Sequence, residues 1–218
     1  MQKAQGIICP IVDVPKTLRE MITSAQSLNS VDRVTVVAPS LTSLRSLRHE
    51  VGSQGLFNVN FTTLTRVAAQ ITAQSFLDDG LSPLSHTMRA AILMRLTSEI
   101  SGELSPFSET NGLRDSLNST FISLSETDPE SLSIIRDTGK ELSQTVLRLY
   151  DKFVDASGSF YNTNDILGRA TEQIRTISRQ RLNDLGTFIF YLTPHYSPRQ
   201  INLIRTILHT SGGYAIVG

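Results

Sequence analysis

Gly6-Ile7-Ile8-Cys9-Pro10-Ile11-Val12-Asp13-Val14-Pro15-Lys16-Thr17-Leu18 is the stretch on which the reading of the fold turns. Gly6 to Cys9 is a short apolar run with the character of a first sheet strand. A turn follows, and Lys16-Thr17 opens a segment whose apolar residues Leu18, Met21, Ile22 and Ala25 have helical spacing. Strand, turn, Lys-Thr and helix make the frame of a nucleotide-binding phosphate loop, G-x-x-x-x-G-K-[ST]. Pro10 stands where the first glycine would be, and Pro15 directly precedes the lysine. Such a loop wraps anions with consecutive backbone N–H groups. Glycine permits the φ angles and the close approach this needs, whereas proline fixes φ and has no N–H to donate. Asp13 adds a negative charge. The stretch therefore predicts an α/β domain with a vestigial nucleotide loop, of which Lys16 and Thr17 are the remnants. The plainer alternative is that the two residues merely open a surface helix after an ordinary strand–helix turn.

Around this stretch the composition sets wide bounds. The chain has 218 residues and a formal net charge of zero, so no global basic field draws it to DNA or to a membrane. The length is enough to bury a core. Its single cysteine, Cys9, cannot form an intramolecular disulfide, and no His/Cys spacing matches a metal site. A reducing cytoplasm fits. No run is long enough to span a membrane, and the N-terminus lacks the pattern of a signal peptide.

Taken in order, the first helix runs from Pro15 to Leu28. Arg33 to Pro39 is a β-branched run with the composition of a buried strand. Ser40 can cap a helix from Leu41 to about Val51. Asn58 to Leu64 alternates as a third strand, and a helix follows from Thr65 to about Phe76. Three strand–helix units in succession predict a parallel sheet with helices on its faces. The pattern changes at Asp78-Asp79-Gly80. From there to about Arg181 the periodicity predicts about five helices and no strand, with Ser82-Pro83, Asp128-Pro129 and Thr163-Asn164-Asp165 as helix starts. The strand signal returns at Gly186 to Leu192. Ser197-Pro198 then opens a helix, and Tyr214 to Val217 reads as a further strand. The expected organisation is a core from 1–77 and 182–218 with a helical subdomain at 78–181. A sheet strand followed by one glycine predicts that the chain is a piece of a longer polypeptide.

Several stretches together resemble one family. Val34 to Pro39 is similar to its second strand, which ends in proline before a helix. Phe61 to Arg66 resembles its S-F-S-R-L stretch. Leu147 to Phe153 and Phe160 to Leu167 resemble its L-x-x-x-Y-x-x-F and Y-x-x-x-x-D-x-L helix pair, with Asp165 on the matched Asp. Phe188 to Pro198 resembles I-Y-I-D-G-F-H-S-F-T-P. The family is the N-terminal helicase-like region of AddB-type subunits of the AddAB helicase–nuclease, with RecC a looser match. The resemblance implies a P-loop-NTPase-like parallel sheet, the superfamily 1 helicase-like core, with a large all-helical insertion. It implies a role in DNA repair and recombination, single-stranded or duplex-end DNA as ligand, and an AddA-like motor subunit as partner. Two departures bear on activity. The loop lacks its glycines, and aligning Ser197-Pro198 on the family's T-P puts Tyr191 where a motor holds the carboxylate for Mg²⁺. The resemblance thus implies an ATPase-inactive region with no cofactor, no metal and no catalytic residue of its own. The parent's nuclease domain, of PD-(D/E)XK type with an iron–sulfur cluster, would lie outside these residues.

Within that resemblance Ser40, Thr63, Thr65 and Arg66 are the candidate DNA contacts, since hydroxyls, helix N-terminal amides and a guanidinium suit phosphate. Thr42 shares the reading. Helix capping with a surface arginine is the plain alternative. His195 and Ser197 invite a hydrolase reading, but no carboxylate is placed to orient the imidazole. Arg175, Arg179 and Arg181 could meet nucleic acid or simply solvate a helix end. Two other functions stay open: an interaction domain that touches no DNA, and a working nucleotide enzyme with an unusual loop.

Overall fold

The computed structural model describes residues 4–27, 29, 31–52, 55–127, 129–176, 182, 184–194 and 196–218. It divides into two compact units, 1–73 with 166–218, and 74–165.

The first unit is built on a five-stranded sheet in the order β1-β7-β6-β2-β3, every neighbouring pair parallel. Its strands are β1 (Gln5–Ile8), β2 (Val34–Ala38), β3 (Val59–Thr63), β6 (Thr187–Leu192) and β7 (Tyr214–Val217). The chain moves across the sheet from β1 to β2 to β3, then returns through β6 to β7. Parallel crossovers are right-handed, so reversing direction must move the connecting helices to the other face. The core divides accordingly. Helices α1 (Val14–Ala25) and α2 (Leu41–Gly52) cover one face through Leu18, Ile22, Leu47 and Val51, packed on Val34, Val36 and Ile189. Helices α3 (Leu64–Asp78), α8 (Thr163–Thr176) and α9 (Pro198–Ser211) supply Val67, Ala68, Leu167, Ile174, Leu203 and Ile207 to the opposite face, against Val37, Phe188 and Phe190.

The β-branched run of β2 is buried at every position, as a strand covered on both faces should be. By contrast β1, apolar in sequence, is exposed along its whole length, with Ile8 87% accessible, because it forms the sheet's edge. At the head of β6, Gly186 is required. It has φ +83°, and a Cβ there would lie 2.1 Å from the Arg33 carbonyl oxygen, the acceptor of the Thr187 amide.

The second unit comprises β4 (Ser82–Pro83), α4 (His86–Ser98), α5 (Asn111–Glu126), α6 (Pro129–Thr138), α7 (Glu141–Ala156) and β5 (Phe160–Tyr161), with a 3-10 segment at Gly102–Phe107. Its core joins Leu93 and Leu96 of α4, Leu117 and Phe121 of α5, and Leu149 and Phe153 of α7. The helices match the sequence periodicity, but two details differ. Strands were not expected here, yet β4 and β5 pair in parallel. The amides of Ser82 and Leu84 donate to the Ser159 and Tyr161 carbonyls, so Pro83 sits between them where no donor is needed. Phe76 stacks on Tyr161 at 4.0 Å beside this pair. Ser82 is therefore not the helix cap. Ser85 is, accepting from the Met88 amide at 3.1 Å.

The unit boundary also differs from the expected 78–181. Helix α8 belongs with the sheet from Ile166 onward, because Leu167, Ala170 and Ile174 pack beneath Phe188 and Phe190. Asp128, the expected start of α6, lies outside the described residues. No helix among the described residues is long and apolar enough to cross a membrane.

Candidate functional site at the carboxyl edge of the sheet

Since all five strands run the same way, their C-terminal ends lie along one edge. Ligands of open α/β sheets bind along that edge, above all where connections leave neighbouring strands in opposite directions. Here that place is between β2, whose chain leaves toward β3, and β6, whose chain leaves toward β7. Lys16, Thr17, Ser40, Thr63, Thr65 and Arg66 all fall on this edge.

Lys16 and Thr17 follow β1. The turn that delivers them is not a loop but a single 3-10 turn, Ile11–Asp13, closed by the Asp13 amide donating to the Pro10 carbonyl at 2.9 Å and running directly into α1. Pro10 has φ −56° and Asp13 φ −92°, and no residue from Cys9 to Lys16 has a positive φ. An anion nest needs amides that converge through alternating right- and left-handed residues, and this turn has no left-handed position. Asp13 precedes the helix without a side-chain cap, and Pro15 in the first turn removes one amide donor. Lys16 is exposed on that first turn.

The side chains of Ile11, Val14 and Tyr191 converge on the backbone of Gly218. A Cβ there would lie 3.0 Å from Val14 Cγ2, 3.3 Å from Tyr191 Cε2 and 3.5 Å from Ile11 Cγ1. Tyr191 is the residue standing where the resemblance expects a carboxylate, so a ring occupies that position and packs toward α1. Its carbonyl is held by the Tyr196 hydroxyl at 3.1 Å. Burial pushes the Tyr196 phenol up to about 12, with Tyr191 adding to the shift. Sequence reading passed over Tyr196; a tyrosine just before the Ser-Pro helix start was its only signal.

Ser40, Thr63, Thr65 and Arg66 follow β2 and β3. The register pairs Ala38 with Thr63, so Ser40 and the Thr63–Arg66 segment come together at the ends of neighbouring strands. Lys16 and Thr17 stand apart from them. Three strand spacings separate β1 from β2, about 14 Å at ~4.8 Å each. The Ser40 hydroxyl is engaged as a helix cap, accepting from the Ser43 amide at 3.1 Å and lying 3.0 Å from the Ser43 hydroxyl. Thr63 and Thr65 are half-buried, while Arg66 is exposed on the first turn of α3.

The remaining sequence candidates separate. Asn162 and Asp165 cap α8 reciprocally. Asn162 Oδ1 accepts from the Asn164 and Asp165 amides, and Asp165 Oδ2 accepts from the Asn162 amide at 2.8 Å. Asp165 thus has a helix-capping task. Ser197 forms a capping box with Gln200 at the head of α9. His195, Arg179 and Arg181 lie outside the described residues, and no metal-binding group of His, Cys, Asp or Glu occurs among the described ones. In the second unit a cleft of about 400 Å³ runs between α4 and α5, lined by Ala90, Ala91, Leu93 and Met94. Arg89 on its wall donates to Asn118 at 3.0 Å and lies 5.0 Å from the centre of the Phe153 ring. Burial pulls its guanidinium below the ordinary value, and Asp165 opposes the shift.

No family model matches the chain, and no curated protein matches it.

Proposed function

We propose that the chain is an ATPase-inactive, helicase-like α/β region of an AddB-like repair protein, a scaffold that guides single-stranded DNA beside a separate motor subunit. The observation that supports it most is the turn after β1. Strand, turn and Lys16-Thr17 stand in phosphate-loop order, yet the turn is a 3-10 helix without a left-handed residue, followed by a buried Val14 beside the Tyr191 ring. Thr63, Thr65 and Arg66, at the end of β3 on the far side of the sheet, offer hydroxyls and a cation to a phosphate backbone.

Thermal melting with Mg-ATP tests the inactivity. Ligand at a hundredfold excess over Kd stabilises by ~2.7 kcal/mol. In a domain of this size a working site should then raise Tm by about 5–10 °C, at roughly 2–4 °C per kcal/mol. No shift is expected at millimolar ATP, and a shift of several degrees would sink the reading.

A second reading, an interaction domain without DNA contact, draws on Ile8, Ile11 and Val12, which stand exposed in and beside the edge strand β1. Fluorescence anisotropy with a labelled single strand at low salt separates the two. Binding that weakens steeply with salt supports guiding, and no binding supports interaction alone.

A further inference from the structure

Helix α2 carries two stripes. Leu44, Leu47 and Val51 face the sheet. Arg45, Arg48, His49 and Gly52, at the i, i+3, i+4 and i+7 positions, form the next stripe around the helix. That second stripe overhangs the edge strand β3, and between them lies an open concavity of about 590 Å³, walled on the strand side by Val59 and Phe61. Among the described residues no carboxylate lines it. Arg45 and Arg48 are exposed, and neither has an ion-pair partner among the described residues. Phe61 is half-buried, its ring packed at the margin of the core.

We propose that this concavity is a groove for single-stranded nucleic acid, in which Arg45 and Arg48 hold phosphates and the Phe61 ring receives a base. The chemistry is that of sequence-tolerant strand binding: unpaired cations along one wall and an aromatic face on the other. Strand alternation places Val59, Phe61 and Thr63 on one face of β3. Thr63 therefore lies on the same face as the concavity, one step beyond Phe61 toward the carboxyl edge. The proposal rests on the single-strand reading above and gives that strand a path along the flank of the sheet. A protein acid would be drawn by the same arginines but would gain nothing from the ring.

The test is anisotropy of a fluorescein-labelled oligothymidylate with the full chain across a salt series. Arg45→Gln with Arg48→Gln should weaken binding about tenfold or more at low salt and reduce the log–log salt slope by about 1.4, since each single-strand phosphate contact contributes about 0.7. Melting temperature should not change, both side chains being exposed. Phe61→Leu, which keeps an apolar wall, should weaken binding several-fold and leave the salt slope unaltered. Binding by the unaltered chain that the double arginine variant retains in full overturns the groove and leaves the single-strand reading standing. No binding by the unaltered chain overturns both. Equal displacement by polyglutamate, with Phe61→Leu silent, overturns the nucleic-acid assignment in favour of a general anion surface.

Discussion

The turns after β1 and β2 begin alike. Each leaves a parallel strand through a proline, Pro10 in one and Pro39 in the other, and each delivers a helix to the same face of the sheet. After β2 the polypeptide uses a hydroxyl: Ser40 accepts the Ser43 amide and fixes the start of α2. After β1 it uses shape. Asp13 makes no cap, a 3-10 turn leads straight into α1, and Val14 and Tyr191 pack into the core beside it. A helix N-terminus is attractive to anions only while its amides are free and its approach is open. The first turn has traded that openness for packing, and the second has committed its best donor to itself. What remains for a polyanion is the side-chain chemistry of Thr63, Thr65 and Arg66 and the flank of α2.

The largest expected effect tests whether packing, not the turn, holds α1. Leu18 is fully buried on that helix, so Leu18→Ala should cost ~2–5 kcal/mol. Ile11→Ala, in the turn and 69% exposed, should cost less than about 1 kcal/mol. Urea denaturation of the two variants gives the ratio. Comparable losses would mean the turn itself carries the helix. Next, Ser40→Ala should cost ~1 kcal/mol, within the 0.5–2 kcal/mol range of lost caps. Asp13→Ala should stay within about ±0.5 kcal/mol. Equal losses would erase the distinction between the two turns.

The Tyr196 hydroxyl pins the carbonyl of Tyr191, whose ring packs against the core beside α1. Tyr196→Phe should cost about 1 kcal/mol at neutral pH for the lost hydrogen bond. Its alkaline behaviour has a definite sign. A phenol raised from an unfolded value near ~10 to about 12 contributes stability fully below the lower value and loses it as pH rises through the upper one. The unaltered protein should therefore destabilise more steeply between those values than the variant. Parallel pH profiles, measured as the difference in urea midpoint, would show that the phenol is not held as described.

The alternation of strands and helices made the parallel sheet legible, because β2 and β6 are apolar runs of strand length bounded by proline or glycine. It did not reveal that β1 is an edge, since hydropathy is the same whether or not a neighbour covers the strand. Nor did it assign α8. Leu167, Ala170 and Ile174 make the same stripe whether they face a bundle or a sheet. Strands β4 and β5 are too short to show a period, and Pro83 reads as a breaker. At the site, the replaced glycines were plain in Pro10 and Pro15, but the approach of Val14 and Tyr191 to Gly218 was not. It joins residues from α1, β6 and the end of the chain that meet only on folding. The arginine stripe of α2 went unread in the sequence, and its aromatic wall comes from another element.

The smallest expected effect is the most discriminating. Lys16 stands exposed on the first turn of α1 at the position a phosphate-loop lysine would hold. In a working site that side chain reaches the phosphates, and removing it should abolish nucleotide-induced stabilisation. In this chain there is no nest below it to hold a phosphate within reach, so Lys16→Ala should change stability by no more than about 0.5 kcal/mol and leave the melting curve with Mg-ATP superimposable on the curve without it. Arg66→Ala, on the other side of the sheet, should weaken oligothymidylate binding while leaving those curves untouched. A nucleotide response that Lys16→Ala removes would reverse the comparison, making the β1 turn the live site.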